Sequence, residues 1–422
     1  MRKSPYPVEQ ELGMRCYTTD TAGIGGRLRT TAEDFVVDEV PCDIGGTGPY
    51  LVCRLTKKDW ELQRAVKELA KRFGISHRRI SWSGTKDKHA VTSQLISLYE
   101  VTGEQVAAID MKDISLEVIG RAEKPLSLGS LRQNRFTIVI REVSGPDLAG
   151  QVATVTAAAA EGLPNYFGIQ RFGVIRPITH LVGEHILRGE YEEAVMVYTG
   201  RAYQGETPDV RAAREAFSET RDTGVALHAF PVPLRYERAL IHHLHTNPGD
   251  YAGALQSLPP RLLSMFVSAF QSFLFNHAVS SRLERGLLLS EPAPGDRLVF
   301  ADGREEIVDP RNIQAARLHT GRGRCRIALH MPGSDWKEAS GPDEAAMHAV
   351  LSERGITAES FRSASSFVRA TYAGAHRPIA LQANVDAVID GNTVRISFPL
   401  APGQYATTVC REYMKADPVM MI

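Results

Sequence analysis

The segment GTKDKH at 84–89 places one carboxylate, Asp87, among Lys86, Lys88 and His89. Neighbouring cations stabilise the negative charge of a carboxylate, and a charged carboxylate can attack an electrophile. The segment begins with a glycine, which permits an unusual backbone shape. These residues fit a catalytic Asp87. They also fit the commoner case of a salt bridge that only holds a loop together, so spacing alone does not identify an active site.

Other familiar catalytic motifs are missing from the sequence. It contains no G-x-x-x-x-G-K-[ST] phosphate loop, no G-x-S-x-G elbow and no H-E-x-x-H zinc helix. The GIGG run at 23–26 lacks the spacing and the preceding strand of a dinucleotide-binding fingerprint. The five cysteines form no C-x-x-C pair, which argues for reduced thiols and against a zinc site or a disulfide framework. We therefore expect neither a metal nor a cofactor.

The charge of the chain is balanced overall but uneven locally. The 422 residues include 49 Lys and Arg against 49 Asp and Glu, and the net charge is zero. Residues 54–88, however, contain eleven Lys or Arg against four Asp or Glu. Such an excess can neutralise phosphates and attract RNA, although a basic run more often forms a solvated face. The pattern is compatible with an RNA-binding surface that ends beside Asp87.

Strand and helix patterns surround the Asp87 segment. Alternating apolar residues predict strands at 33–40, 80–82, 91–99 and 136–143. Residues 59–73 show the apolar repeat of an amphipathic helix, with Asp59 at its start and Gly74 just after its end. Asp87 is thus predicted to lie on a loop between two strands, and loops held by strands commonly present reactive groups.

The middle of the chain differs in character from its ends. Helical patterns dominate from about 180 to 285, and the strongest covers 261–286. Hairpins are then predicted to turn at 302–303 and at 390–392, where Asp, Gly and Asn are the turn residues. β-Rich ends around a helical middle fit one β-rich domain with another domain inserted into it, and they also fit domains in tandem.

At several blocks, the chain resembles the TruD family of tRNA pseudouridine synthases, in particular its archaeal and eukaryotic branch. The resemblance begins with GTKDKHAVTSQ at 84–94. Further blocks stand in the expected order and span nearly the whole chain: AEDFVVDEV at 32–40, LRQNRFTIVIREV at 131–143, PNYFGIQRFG at 164–173, AFQSFLFN at 269–276 and LAPGQYATTVCRE at 400–412.

The resemblance implies an α+β fold. Both chain ends would form a pseudouridine synthase core, a mixed and mainly antiparallel sheet with flanking helices. A largely helical α+β TRUD domain would be inserted between them. The implied ranges are 1–168 and 373–422 for the catalytic domain and 169–372 for the inserted domain.

The resemblance also implies an activity, the isomerisation of uridine to pseudouridine, with tRNA uridine 13 as the target. Asp87 would be the catalytic nucleophile, and Arg29 would pair with it. Three chemical routes stay open: attack on C1′, attack on C6 of the ring, or removal of a proton to give a glycal. Arg29 could instead be a phosphate-binding or surface residue.

Several further residues match family positions near the substrate. Phe35 is implied to stack on the target base, which must leave the RNA stack to reach a pocket. The other substrate contacts implied are Asn134, Phe136 and Tyr405. Weaker candidates for RNA contact are Lys86, Lys88, His89, Gln170 and Arg171. Without the motif context, the three aromatic residues would be assigned to core packing.

The expected partner is tRNA, with no obligatory protein partner and a monomeric state. No run of apolar residues predicts a membrane span, and no secretory signal pattern stands at the N-terminus, so we expect a cytoplasmic protein. The main alternative is a non-catalytic RNA-binding protein or RNA chaperone that uses the same surface. An Asp-dependent hydrolase is a second alternative, which the missing phosphate and metal motifs disfavour.

Overall fold

Two groups of chain segments each form a core of their own. The computed structural model describes residues 1–42, 44, 46–335 and 338–421. Thr19–Leu163 and Leu381–Ile422 form one unit, called here the sheet unit. Met1–Thr18 and Pro164–Ala380 form the other, called the helical unit.

These units differ from the predicted ranges in two respects. The chain changes unit after Leu163 and after Ala380, whereas the implied boundaries followed residues 168 and 372. The first 18 residues belong to the helical unit, whereas the resemblance assigned them to the catalytic domain. The functional assignment of the two domains stays a prediction.

The helices are α1 (Pro7–Glu11), α2 (Leu62–Phe73), α3 (Gly103–Ala107), α4 (Leu148–Glu161), α5 (Thr179–Arg188), α6 (Tyr191–Gly200), α7 (Pro208–Thr220), α8 (Thr223–Ala229), α9 (Arg235–Thr246), α10 (Tyr251–Gln256), α11 (Pro260–Glu284), α12 (Ile313–Gly321), α13 (Pro342–Glu353), α14 (Ala358–Val368) and α15 (Ala406–Met414). The strands are β1 (Arg2–Lys3), β2 (Cys16–Tyr17), β3 (Gly25–Arg27), β4 (Phe35–Pro41), β5 (Tyr50–Lys58), β6 (Ile80–Trp82), β7 (Val91–Tyr99), β8 (Ile114–Ala122), β9 (Leu131–Val143), β10 (Leu163–Pro164), β11 (Arg297–Phe300), β12 (Glu305–Ile307), β13 (Cys325–His330), β14 (His376–Pro378), β15 (Ala380–Leu381), β16 (Asp386–Asp390) and β17 (Thr393–Leu400).

The sheet unit is built on one large sheet with the strand order β16-β17-β9-β4-β7-β5-β8. Its neighbouring strands pair antiparallel, except β4 and β7, which run parallel. Strand β3 pairs with β9, and β6 pairs with β7. Strands from both chain segments therefore share one hydrogen-bonded sheet, as a core formed by both ends requires.

Two apolar clusters cover different parts of this sheet. One lies between α2 and strands β5 and β7, and the other includes residues of α4, α15, β9 and β17. Helix α2 begins later than predicted, because Glu61 and not Asp59 caps it: the Glu61 carboxylate accepts hydrogen bonds from the main-chain N–H groups of Gln63 and Arg64, both at 2.8 Å. Asp59 lies in the preceding turn with a positive φ of 56°. Gly74 ends the helix at φ 67°, as predicted.

The sheet register aligns one row of side chains across five strands. Phe398 pairs with Phe136, Phe136 with Val37, Val37 with Thr92, and Thr92 with Lys57. Directly paired residues project from the same face of a sheet. Two residues farther along β4 and β9, Glu39 pairs with Asn134 on that face. Along this row, apolar side chains in β17, β9 and β4 thus give way to polar side chains in β7 and β5.

The helical unit is organised around α11. This 25-residue helix is long and apolar enough to span a membrane by composition, but 72% of its most apolar window lies buried within the protein. It therefore behaves as the core helix of a folded unit. A sheet in the order β12-β11-β13-β14 packs in the same unit, and the predicted hairpin turns at Gly303, which has a φ of 84°.

The N-terminal segment joins the helical unit through hydrogen bonds to α11. Asn276 Nδ2 donates to the main-chain oxygen of Leu12 at 3.1 Å, and Ser280 Oγ donates to that of Gly13 at 2.5 Å. Gly13 has a φ of 76°, and a Cβ atom there would lie 2.5 Å from a ring carbon of His277. Glycine is required at this position because the backbone approaches the helix too closely for any side chain.

Candidate active site

Asp87 lies on the loop between β6 and β7, as the sequence predicted. Its side chain is 52% exposed, and its Oδ2 lies 3.0 Å from Nη2 of Arg29, whose side chain is 14% exposed. A partly exposed ion pair of this kind stabilises a fold by about 0–1 kcal/mol at most. The pair therefore contributes little to folding, but it sets the direction of an accessible carboxylate.

Arg29 is held in a conformation that few arginines adopt. Its φ is 56°, in the left-handed region, where a non-glycine residue is strained by about 1–3 kcal/mol. Its guanidinium carbon lies 4.2 Å from the centre of the Phe35 ring, within the range of a cation–π contact. The Phe35 ring meets Phe136 edge-on, with centroids 6.2 Å apart. The aromatic pair thus supports the guanidinium that faces Asp87.

A buried carboxylate stabilises the turn that carries Arg29 and Phe35. Thr31 and Asp34 form a capping box at the short helical turn Ala32–Asp34. Asp34 also accepts two-pronged hydrogen bonds from Arg141 of β9, at 2.6 to 2.9 Å. Burial raises the pKa of Asp34, but the hydrogen bonds from Arg141 and from the Thr31 main chain outweigh it, so that the pKa lies below its usual value.

The loop between β6 and β7, called here the Asp87 loop, is anchored in its first half by Glu39 of β4. The carboxylate of Glu39 is fully buried and lies 2.7 Å from Nζ of Lys86, which is itself 5% exposed. The same carboxylate accepts hydrogen bonds from Ser83 Oγ and from the main-chain N–H of Leu95. A Cβ atom on Gly84 would lie 2.9 Å from the Lys86 ammonium, so a side chain at this position would displace the ammonium.

Two further buried side chains bind the main chain of the loop. Gln94 Nε2 donates to the main-chain oxygen of Gly84 at 2.7 Å. Lys57 Nζ donates to the main-chain oxygen of Asp87 at 2.7 Å. Burial lowers the pKa of Lys57 to about 8. The loop therefore presents an exposed carboxylate while its own backbone is held by polar groups inside the protein.

The family model for tRNA pseudouridine synthase D (TruD) matches residues 11–413. This chain belongs to the TruD family. It is 38% identical over 433 residues to a Methanococcoides burtonii protein named "Probable tRNA pseudouridine synthase D", with 98% of both chains covered. A Halobacterium salinarum protein of the same name is 38% identical over 441 residues, which cover 99% of this chain and 100% of the relative.

A solved structure also matches this TruD chain along its length. The crystal structure of a Methanosarcina mazei protein with the same family designation has a TM-score of 0.85 and 35% identity, and the match covers 99% of both chains. The comparisons confirm the family resemblance, and the structural match confirms the predicted α+β fold class.

The remaining predicted site residues of this TruD protein occupy three kinds of position. Asn134 of β9 pairs with Glu39 of β4, and its Oδ1 is buried without a hydrogen-bond partner in the described part of the chain. Tyr405 immediately precedes α15. Lys88 and His89 are exposed on the loop, and His89 lies 3.5 Å from Asp59.

The structure also places the predicted residues Phe35, Lys86, Gln170 and Arg171. Phe35 is 1% exposed and carries the Arg29 guanidinium on its ring, so it offers no free face to a base in this conformation. The inward-facing ammonium of Lys86 anchors the loop. Gln170 and Arg171 belong to the helical unit, where Arg171 Nε donates to Ser272 of α11 at 3.2 Å.

Sequence reasoning missed Glu39 and Lys57, the two buried charges beneath the loop. A signal was present for both, because each charge falls on the apolar face of a strand. Glu39 continues the alternation of Phe35 and Val37 in β4. Lys57 continues the alternation of Leu55 in β5. A charged residue in step with buried apolar residues indicates a buried polar contact.

Proposed function

We propose that this protein converts uridine to pseudouridine in tRNA, at uridine 13, and that Asp87 is its catalytic residue. The observation that carries the proposal is the half-exposed Asp87 carboxylate, which pairs with Arg29 at 3.0 Å on a loop fixed by buried side chains. Membership of the TruD family supports the reaction class, and the names of the relatives support tRNA as the substrate.

The reaction is an isomerisation and needs no external reactant. The N1–C1′ bond of uridine breaks, a C5–C1′ bond forms, C5 loses a proton and N1 gains one. Asp87 would bond to C1′ or C6, or would take a proton from the ribose. In each route a carboxylate must approach the nucleoside in a fixed direction, and a misplacement of about 1 Å can lower the rate by about 100-fold.

The other residues have distinct proposed roles. Arg29 orients the Asp87 carboxylate through a charge-assisted hydrogen bond. Phe35 supports Arg29. Asn134 carries a buried amide oxygen without a partner among the described residues, and such an acceptor suits the N3–H of uracil. Phe136 and Tyr405 are proposed to contact the everted nucleotide.

The deciding experiment compares two carboxylates beside the same loop. Asp87→Asn is expected to bind a tRNA transcript normally and to form no pseudouridine at position 13. Asp59→Asn is the matched control, because Asp59 is also about half exposed, at 51%, and lies next to the loop residue His89. Normal product formation by Asp87→Asn would refute the catalytic role. Product at another uridine, but not at uridine 13, would refute the proposed target.

We further propose a monomeric protein that works in the cytoplasm. The five cysteines are all free in the structure, which suits a reducing compartment. Light scattering of the purified protein tests the monomer, and a dimer mass would refute it.

A further inference from the structure

A buried lysine to which the proposed reaction gives no role contacts the Asp87 loop from the interior of the protein. Lys57 is the penultimate residue of β5, and its side chain is completely buried. Its ammonium donates a hydrogen bond of 2.7 Å to the main-chain oxygen of Asp87. The side chain projects from the sheet face that also carries Thr92, its direct partner in β7.

We propose that Lys57 is a positioning residue, whose buried ammonium holds the main-chain carbonyl of Asp87 and so fixes the direction in which the Asp87 carboxylate meets the nucleoside. The inference rests on the proposed function, because it takes Asp87 to be the reacting group. It assigns Lys57 no contact with the substrate.

Folding alone gives no reason for a lysine at this position. An ammonium loses its hydration on burial, whereas an apolar side chain of the same length would fill the space without that loss. The compensation at Lys57 comes from the catalytic residue itself. The carbonyl of Asp87 accepts the hydrogen bond, and the carboxylate of Asp87 attracts the charge. A buried charge whose compensation comes from a catalytic residue is better explained by catalysis than by stability.

The contact acts on the main chain of Asp87, which the anchors Glu39 and Gln94 do not contact among the described residues. Glu39 holds Ser83 and Lys86, and Gln94 holds the main chain of Gly84. Those bonds fix the beginning of the loop. Because they persist when Lys57 is replaced, the replacement is expected to displace Asp87 locally while the sheet and the rest of the loop stay folded.

The charge on Lys57 also depends on pH in the range where enzymes are assayed. Burial and, to a smaller extent, the charge of Lys86 lower the pKa of Lys57, the charges of Asp87, Glu61 and Asp59 raise it, and the resulting pKa is about 8. The ammonium is therefore present at neutral pH and is lost as the pH rises through about 8. The proposed positioning contact weakens over the same interval, since a neutral amine is a poorer donor than an ammonium.

The test replaces Lys57 by methionine, which keeps the length of the side chain and removes its charge. Lys58→Met is the matched control, because Lys58 is the next residue of β5, is partly exposed and forms a surface ion pair with Glu33. Under single-turnover conditions we expect Lys57→Met to lower the rate of pseudouridine formation by about 100-fold, the effect of a misplacement of about 1 Å. Binding of the tRNA transcript should stay within about twofold, and Lys58→Met should match the wild type.

The pH profile separates positioning from a general loss of structure. At pH 9 about one-tenth of Lys57 remains charged, so the ratio of wild-type to Lys57→Met rates is expected to narrow from about 100 at pH 7 to about 10. Effects of pH on the RNA change the rates of both proteins equally and therefore cancel in this ratio. A Lys57→Met rate within about threefold of the wild type would overturn the proposal, and so would a ratio that stays constant with pH.

Two further measurements distinguish a folding defect of Lys57→Met, and a failure of the proposed function, from a failure of the positioning role. If Lys57→Met does not fold, the wild type and Lys58→Met decide the question, because a rate that does not fall between pH 7 and pH 9 in either protein contradicts the proposal. Asp87→Asn is assayed in parallel. An active Asp87→Asn protein refutes the proposed function itself, whereas an inactive Asp87→Asn protein beside a fully active Lys57→Met protein refutes only the role of Lys57.

Discussion

Replacement of Glu39 by alanine would remove the acceptor on which the first half of the Asp87 loop depends. The Glu39 carboxylate is fully buried and receives hydrogen bonds from the Lys86 ammonium, the Ser83 hydroxyl and the Leu95 main chain. Alanine leaves the ammonium of Lys86, which is 5% exposed, in the protein interior without its carboxylate. An unpaired buried charge is the most unfavourable product of this substitution.

The expected loss of stability follows from the energetics of the buried Glu39–Lys86 ion pair. Removal of one partner of a buried ion pair destabilises a protein by about 3–5 kcal/mol. If Lys86 is replaced by methionine as well, no charge remains, and two neutral donors on Ser83 and Leu95 are left unpaired, at about 1 kcal/mol each. The double variant Glu39→Ala/Lys86→Met should thus be about 2 kcal/mol more stable than Glu39→Ala alone.

Urea unfolding provides the assay, and tryptophan fluorescence reports on the right part of the protein. Two of the three tryptophans, Trp60 and Trp82, belong to the sheet unit, and Trp82 stands immediately before Ser83. A protein with two units need not unfold in one step, so the transition of the sheet unit is fitted separately. If the double variant is less stable than Glu39→Ala, or if Glu39→Ala lies within about 0.5 kcal/mol of the wild type, the buried pair does not act as described.

Three more predictions follow from single residues. Asn134→Ala should lower kcat/KM by about 10- to 100-fold without loss of thermal stability, because its amide oxygen has no partner to lose within the described residues; a lower Tm with normal turnover would contradict this. Asp34→Ala should destabilise the sheet unit by about 1–3 kcal/mol at pH 7 in urea titrations. Because the pKa of Asp34 is lowered by its bonds to Arg141 against the effect of burial, that difference should shrink as the pH falls below about 4, and a constant difference would argue against the pair. Burial, with help from nearby cations, lowers the pKa of His277 to about 4 and that of His180 to about 3. As the pH falls below about 6.5, these histidines therefore bind protons in the unfolded chain before they do so in the folded protein, and the helical unit loses stability. His277→Gln should reduce that loss between pH 7 and pH 4.5 by about 2 kcal/mol in denaturation experiments.

Local patterns in the sequence were sufficient to predict much of the secondary structure of the sheet unit. The strands at 80–82 and 91–99 occur where alternation predicted them, and the helix ends at Gly74 because glycine readily adopts the left-handed conformation. The start of that helix was misplaced, since Asp59 and Glu61 are both plausible caps and only the backbone decides between them. Signals of this kind depend on residues a few positions apart.

The pairing of distant residues could not be read in the same way. Thr92 meets Lys57 and Val37 through the register of β5, β7 and β4, and Phe136 meets Phe398 across more than half the chain. The sequence has no local feature that specifies these partners. From the sequence, Lys57 was therefore interpreted only as a member of the basic run at 54–88. In the structure its charge is buried, and the run does not form one solvated face.

The site satisfies two requirements that oppose each other. A reacting carboxylate must be exposed to reach the nucleoside, and exposure normally leaves a side chain free to rotate. Here two hydrogen bonds remove that freedom. Buried Lys57 donates to the main-chain oxygen of Asp87, and Arg29 donates to the carboxylate of Asp87. Both devices are unfavourable for folding, since Lys57 is a buried charge and Arg29 has a φ of 56°. Under the proposed function, Lys57→Met and Arg29→Gly should therefore weaken the enzyme although each removes one of these unfavourable features, because the features themselves direct the carboxylate.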